Sequence, residues 1–160
     1  MTLDDIQALP HHLRLSIPDD YLDIFEHMNV QYYLKIFSDS VFNMFTEFGM
    51  DEEYFKQHGV GVFAVDQRLS YYAEVKAGES VAVYSRLINR SDKKLHFMVF
   101  MINETQQKLS ATMEALAFHV SRETKRSAPF LDNVTPILDE RLQSHQALHW
   151  EVQLSEAIKV

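Results

Sequence analysis

Cysteine is absent from the 160 residues of the chain. Disulfide scaffolds, thiolate zinc sites, iron–sulfur clusters and cysteine nucleophiles are therefore excluded together. Glycine is scarce, with four residues, and no Walker-type phosphate loop occurs. The segment Gly59–Ala64 has the spacing of a dinucleotide-binding loop, but that motif needs a strand before it and a helix after it. Here strand-like residues follow, so we interpret the segment as a flexible connection that leads into a strand.

Long apolar runs and an excess of positive charge are also missing. The longest apolar run, Phe97–Ile102, is much shorter than the roughly 20 helical residues that span a bilayer. The first residues, Met1–Asp5, are acidic and lack the basic and apolar segments of a secretory signal. The chain has 15 basic and 23 acidic residues, and its net charge of -8 disfavours binding to a phosphate backbone. We therefore expect a cytoplasmic protein that binds neither a membrane nor nucleic acid.

The composition is that of a globular protein with an ample core. Apolar residues make up 46% of the chain and aromatic residues 12%, and the length suits one domain. We expect a single domain over residues 1–160, with its core at about 12–130 and a C-terminal helical extension at 131–160. Residues Met1–Pro10 are expected to form a mobile lead-in.

Hydrophobic periodicity predicts one long, largely buried helix. Asn29 is a suitable N-cap, and Gly49 stands where a helix commonly ends. Between them, apolar residues recur at spacings of three and four, which places them on one helix face: Val30, Tyr33, Phe37, Val41, Met44 and Phe48. A short helix is predicted at Asp51–Gln57, and a C-terminal helix from about Ile137 to Trp150.

Strand-like patterns surround this helix in the sequence. A short strand is predicted at Leu13–Ile17, and four more segments follow Gly61, separated by short polar turns: residues 63–71, 81–87, 95–102 and 109–120. Short turns join antiparallel neighbours, and the third of these segments is apolar on both faces, which is typical of a central strand. The order predicts an α+β fold in which an antiparallel sheet wraps around one long central helix, with a C-terminal helix in addition.

This order of elements resembles the hotdog fold. The segment Asp23–Asn29, followed by Tyr32 and Tyr33, resembles the D-x-x-G-H-x-N-x-x-Y motif of acyl-CoA thioesterases of the 4-hydroxybenzoyl-CoA type. The surrounding residues resemble the thioesterase-like branch of that family, through Tyr71-x-x-Glu74-x-x-x-Gly78-Glu79 and Arg126–Phe130. The resemblance extends over about 14–130. It departs at Glu26, where the family usually has glycine.

The resemblance implies an acyl-CoA thioesterase that hydrolyses a small or medium acyl-CoA without a metal or cofactor beyond the coenzyme A of its substrate. Some members of the branch act on short betaine-type thioesters. Because hotdog active sites usually lie between subunits, a homodimer or homotetramer is implied. Two alternatives stay open: a hotdog dehydratase or hydratase, and a non-catalytic acyl-CoA binding module.

The catalytic candidates lie in and just after the motif. Asp23 is the candidate nucleophile or general base, and its alternative role is to cap the helix. The backbone N–H of Val30, at the helix start, is the oxyanion donor that the resemblance implies. His27 either binds the thioester carbonyl or orients the loop, and Asn29 is either catalytic or a simple N-cap.

Other candidates would bind the substrate. Glu26 adds a second carboxylate to the motif, and several aromatic or apolar side chains are candidates for the acyl pocket: Tyr33, Phe37, Phe63, Val65 and Tyr71. Cationic side chains near two turns are candidates for binding the coenzyme A phosphates: Arg90, Lys93, Lys94 and Arg126. His145 and His149 are four residues apart on a predicted helix, but no third ligand is evident and we expect no metal site.

Overall fold

The computed structural model describes all 160 residues, Met1–Val160. The elements in chain order are helix α1 (Leu3–Gln7), strand β1 (His11–Ser16), a 3-10 turn (Asp19–Tyr21), helices α2 (Val30–Glu47) and α3 (Glu52–His58), strands β2 (Val60–Tyr71), β3 (Ser80–Arg90), β4 (Lys94–Asn103) and β5 (Lys108–Ser121), and helix α4 (Thr135–Gln146). No helix combines the length and the apolar character needed to cross a membrane.

The five strands form one sheet in the order β1-β3-β4-β5-β2. Strand β1 pairs antiparallel with β3, so that Leu15 lies opposite Val81 and Ser16 opposite Ser80. Strand β4 occupies the middle of the sheet, and every residue after Lys94 in it is buried. The predicted α+β class and the central position of this apolar strand are both confirmed.

Helix α2 begins and ends where the sequence predicts. The carboxamide Oδ1 of Asn29 accepts the N–H of Gln31 at 3.1 Å, which satisfies one of the donors that a helix start leaves unpaired. Gly49 follows the helix with a φ of +82°, the left-handed conformation that glycine adopts without strain. Asp51 caps α3 by accepting the N–H of Tyr54, which confirms the short second helix.

Contacts along the chain define two compact units. Unit 1 comprises Met1–Asn43, Leu69–Ser85 and Val99–Met113, and unit 2 comprises Met44–Arg68, Arg86–Met98 and Glu114–Val160. In unit 1, the first turns of α2 pack on the end of β2 through an edge-to-face contact of Tyr33 with Tyr71, whose ring centroids are 5.1 Å apart. The motif residues Asp23–Asn29 all belong to this unit.

Unit 2 contains the last turns of α2 and the C-terminal segment. Phe45 of α2 meets Phe97 of β4 edge to face, with centroids 6.1 Å apart. The buried guanidinium of Arg86 donates to the carbonyls of His145 and Trp150 at 2.9 and 2.7 Å and lies over the Trp150 ring. Helix α4 ends at Gln146, so the predicted helix to Trp150 is too long, and Arg86 binds the carbonyl of His145 at this helix end.

The mobile lead-in predicted for Met1–Pro10 is wrong. Residues Leu3–Gln7 form helix α1, and Thr2 and Asp5 cap it reciprocally, each side chain accepting the backbone N–H of the other. Ile6 is 1% exposed, so this helix contributes to the core. Buried side chains also lie beyond 130, at Val134, Leu138 and Ile158.

Candidate active site

The motif residues fold into a tight hairpin turn before α2. The N–H of Asp23 donates to the carbonyl of His27 at 2.9 Å, and the N–H of Glu26 donates to the carbonyl of Asp23 at 3.0 Å. This is the pattern of a three-residue loop in which a type I turn is followed by one residue in the left-handed conformation. Glu26 occupies that position with a φ of +62°.

The Asp23 carboxylate helps to build this turn. Its Oδ1 accepts the N–H of Phe25 at 2.8 Å, which is the local hydrogen bond that makes aspartate favourable at the start of a turn. The carboxylate therefore caps its own turn, and the alternative that Asp23 caps α2 is wrong because Asn29 does so. Oδ2 of Asp23 has no partner within the chain, so a charged acceptor is available at the surface of the turn.

The backbone conformation of Glu26 explains why the family that the motif resembles usually has glycine at this position. A residue with a Cβ atom in the left-handed conformation is strained by about 1–2 kcal/mol, whereas glycine is not. The side chain of Glu26 is exposed and takes part in no hydrogen bond or ion pair within the chain, so nothing in the structure offsets this strain.

The turn is tied to the rest of unit 1 on both sides. The N–H of Met28 donates to the carbonyl of Val75 at 2.8 Å, and the N–H of Asn29 donates to the carbonyl of Tyr21 at 2.9 Å. The rings of Tyr21 and Tyr32 stack with centroids 3.9 Å apart. The chain on either side of Asp23 is therefore fixed before α2 begins.

The start of α2 carries one unpaired N–H. The N–H groups of Gln31 and Tyr32 donate to the side chain and the carbonyl of Asn29. The N–H of Val30 has no acceptor in the chain, and the side chain of Val30 is exposed. A helix start concentrates partial positive charge, so this N–H is suited to bind an oxygen that gains negative charge.

His27 pairs with a carboxylate from a different segment. Its Nε2 lies 2.7 Å from Oε2 of Glu74, and Oε1 of the same glutamate lies 3.2 Å from Nζ of Lys76. Glu74 comes after β2, so the pair joins the turn to the segment that follows this strand. Nδ1 of His27 is the ring nitrogen that stays available for another partner.

Tyr33, in the first turn of α2, is buried and carries a hydroxyl group. Burial raises the pKa of its hydroxyl to about 12, and the neighbouring Tyr71 adds to this, while a hydrogen bond from the backbone of Val75 acts in the opposite direction. Tyr33 therefore remains protonated at neutral pH. Tyr71 is half exposed and can reach a ligand, whereas Phe37 has no exposed surface and belongs to the core of unit 1.

The remaining candidates for the acyl pocket lie on β2 in unit 2. Phe63 is 63% exposed and Val65 is 48% exposed. All residues from Phe63 to Arg68 are exposed, and β2 is an edge strand of the sheet. The first half of this exposed edge is apolar and the second half, from Asp66 to Arg68, is polar.

The phosphate-binding candidates belong to unit 2 and differ in their surroundings. Nε of Arg90 donates to Oδ1 of Asp139 at 2.7 Å, so the positive charge of Arg90 is largely offset. Arg90 also lines a cavity of about 470 Å³, and Asp92 is another residue of its wall. Lys94 lies over the ring of Phe118, and Arg126 is exposed. Phosphate binding by these residues stays a prediction.

No three histidine or acidic side chains converge in the arrangement of a metal site. Nδ1 of His145 accepts the N–H of Leu87 at 2.8 Å, so this histidine is committed to the edge of β3. The expected absence of a metal is not tested by this arrangement.

With this geometry in place, comparison with known proteins identifies the family. The sequence model of the Thioesterase-like superfamily matches residues 17–138. The chain belongs to this superfamily. Its predicted membership of the acyl-CoA thioesterases with a hotdog fold is thereby confirmed.

Individual relatives of this thioesterase agree with the family. A betainyl-CoA thioesterase of Pseudomonas aeruginosa is 27% identical over 129 residues, which is 81% of each chain. An L-carnitine dehydrogenase/betainyl-CoA thioesterase of Agrobacterium fabrum is 29% identical over 107 residues, and the match spans only 22% of that longer protein. A hypothetical protein of Staphylococcus aureus, solved in complex with CoA, has a TM-score of 0.84 at 20% identity and covers 95% of this chain and 96% of its own.

Sequence reasoning missed the contacts that hold the turn of this thioesterase in place. Glu74 was visible as a carboxylate within the resemblance, but its pairing with His27 joins residues that are distant in the sequence. The contact of Met28 with Val75 uses only backbone atoms, so no residue type in the sequence indicates it. Both contacts depend on the tertiary fold and leave no trace in spacing or periodicity.

Replacing Glu26 with glycine is expected to stabilise the protein. Glycine relieves the strain of the left-handed conformation, and this gain exceeds the cost of its greater freedom in the unfolded chain, so the free energy of unfolding should rise by about 1 kcal/mol. The melting temperature should then rise by about 2–4 °C in calorimetry.

Glu26→Ala is the matched control, because it removes the carboxylate but keeps the strained Cβ atom. It should leave the melting temperature unchanged. An equal rise in both variants would mean that the carboxylate, and not the backbone, limits stability at this position.

Proposed function

We propose that this thioesterase hydrolyses small acyl-CoA thioesters at the turn that contains Asp23. The observation that carries the proposal is the pairing of two features in one short segment. Asp23 offers an unpartnered carboxylate oxygen, and Val30 offers an unpaired N–H at the start of α2. Thioester hydrolysis needs both a basic or nucleophilic group and a donor for the oxyanion.

In the general-base route, Asp23 takes a proton from water as the water oxygen attacks the thioester carbon. The π electrons of the carbonyl move to its oxygen, which the N–H of Val30 and the positive end of α2 stabilise. When the carbonyl re-forms, the carbon–sulfur bond breaks and the CoA thiolate leaves and takes up a proton. In the nucleophilic route, Asp23 itself attacks the thioester carbon, and the carbon–sulfur bond breaks to release the CoA thiolate, which takes up a proton. Water then hydrolyses the resulting anhydride to the free acid and restores the Asp23 carboxylate.

The other motif residues support this reaction. Asn29 holds the first turn of α2 in shape. Nε2 of His27 carries the ring proton and faces Glu74, so Nδ1 is an acceptor for a hydrogen of the attacking water. Glu26 and Tyr71 face the acyl group in unit 1, and the buried Tyr33 supports the ring of Tyr71 edge to face. The carboxylate chemistry requires no metal or cofactor beyond the coenzyme A of the substrate.

The proposed acyl group is small and, by analogy with the betainyl-CoA thioesterases among its relatives, cationic. Aromatic faces and carboxylates attract a quaternary ammonium group, and unit 1 offers the exposed rings of Tyr71 and Tyr72 together with the carboxylate of Glu26. A panel of acyl-CoA esters that includes betainyl-CoA, followed with a thiol-reactive dye, identifies the substrate. Release of free thiol also separates hydrolysis from hydration and from binding alone.

Asp23→Asn tests the residue on which the mechanism rests. The amide keeps an oxygen that can accept the N–H of Phe25, so the turn should form, but the negative charge is lost. We expect kcat on the best substrate to fall about a hundredfold or more with little change in KM.

Asp20→Asn, an exposed carboxylate in the preceding 3-10 turn, is the matched control and should keep the wild-type rate. A folded Asp23→Asn variant, verified by circular dichroism, that releases thiol at the wild-type rate would remove Asp23 from catalysis.

The assembly that we propose is a homodimer or homotetramer in which β2 is covered by a second copy. An edge strand with exposed Phe63 and Val65 is a template for pairing unless another chain protects it. Light scattering at micromolar concentration should give twice or four times the chain mass of 18.7 kDa, and Val65→Lys should lower it. A wild-type species of 18.7 kDa alone would contradict this assembly.

The cytoplasmic location and the lack of a nucleic-acid partner stay predictions.

A further inference from the structure

The contact between His27 and Glu74 has a geometry that fixes the histidine ring. Oε2 of Glu74 lies 2.7 Å from Nε2 of His27, a distance typical of a charge-assisted hydrogen bond. A carboxylate only accepts, so the proton at this contact belongs to Nε2. A half-turn of the ring about the Cβ–Cγ bond would place a carbon atom opposite Glu74 and lose this bond.

Glu74 is itself held firmly for a residue that lies outside any helix or strand. The next residue, Val75, is completely buried; its carbonyl accepts the N–H of Met28 at 2.8 Å, and its backbone hydrogen-bonds the hydroxyl of Tyr33. Two residues after Glu74, the N–H of Lys76 donates to Oε2 of Glu79 at 2.8 Å. The glutamate therefore projects from a segment that is anchored to both the turn and α2.

The pair contributes little to the stability of the fold. The side chains of His27 and Glu74 are 43% and 47% exposed, and ion pairs with this degree of exposure add little to the free energy of unfolding. A hydrogen bond that has good geometry but adds little to stability can still orient the histidine ring. A ring held by a carboxylate at one nitrogen is the usual way in which proteins set the tautomer of a histidine.

We propose that Glu74 is a positioning residue that orients His27 so that Nδ1 accepts a hydrogen bond from the water that attacks the thioester group. The inference rests on the proposed function, in which His27 contacts that water. Glu74 touches neither substrate nor water in the reaction, and it acts only through His27. Its effect is confined to the transition state, because a misplaced ring weakens a contact that must be well aligned there.

A double-mutant cycle tests this inference by thiol release from the best acyl-CoA substrate. Glu74→Ala should lower kcat about tenfold at nearly unchanged KM and melting temperature. Glu74→Gln, which keeps an oxygen that can accept from Nε2, should recover part of the loss. In a His27→Ala background, Glu74→Ala should cause no further loss, because the group through which it acts is gone.

Lys76→Ala is the matched control, since it removes the other partner of Glu74 and leaves the contact with His27 intact; it should keep the wild-type kcat. The inference is overturned if Glu74→Ala keeps the wild-type kcat, or if it costs the same factor with and without His27, because the glutamate then acts independently of the histidine. Failure of the proposed function has a different signature, in which the wild-type protein releases no thiol from any ester of the panel.

Discussion

The candidate site depends on the backbone of one buried residue, Val75. Its carbonyl accepts the N–H of Met28, which anchors the turn that carries Asp23, and its backbone also bonds the hydroxyl of Tyr33 on the first turns of α2. Both bonds are shielded from water, where a lost partner is costly. The backbone of Val75 thus joins three segments: the turn, the first turns of α2 and the segment after β2. These segments carry Asp23, Val30 and Glu74, so the positions of all three residues depend on Val75.

The turn combines structural and chemical roles in the same atoms. Asp23 uses one carboxylate oxygen to stabilise the turn and leaves the other for chemistry, while Asn29 pairs two N–H groups of the helix start and leaves that of Val30 unpaired. Within the turn, Glu26 is the residue whose side chain does not suit the backbone conformation, because its φ is positive. Such conflicts are expected at functional sites, where a sequence departs from what favours the fold alone.

The periodic features of the sequence predicted most of the fold. The spacing of apolar residues located α2, and the doubly apolar run Leu95–Ile102 located the central strand. Helix α1 was missed although its signal, Thr2 and Asp5 in a capping box, was present. The long-range pairs could not be predicted, because the partners of Arg90 and Arg86 lie on α4 and beyond it, at separations that periodicity does not report.

The turn holds Asp23 in place before any substrate arrives. Amide hydrogen exchange of the ligand-free protein, resolved by residue and corrected for intrinsic rates, tests it directly. The bond to Val75 predicts that the Met28 amide is protected to the level of the strand amides of unit 1, while the amide of Ile24 at the exposed turn exchanges freely. A Met28 amide that exchanges as fast as that of Ile24 would show that the turn is not anchored, and would contradict the account.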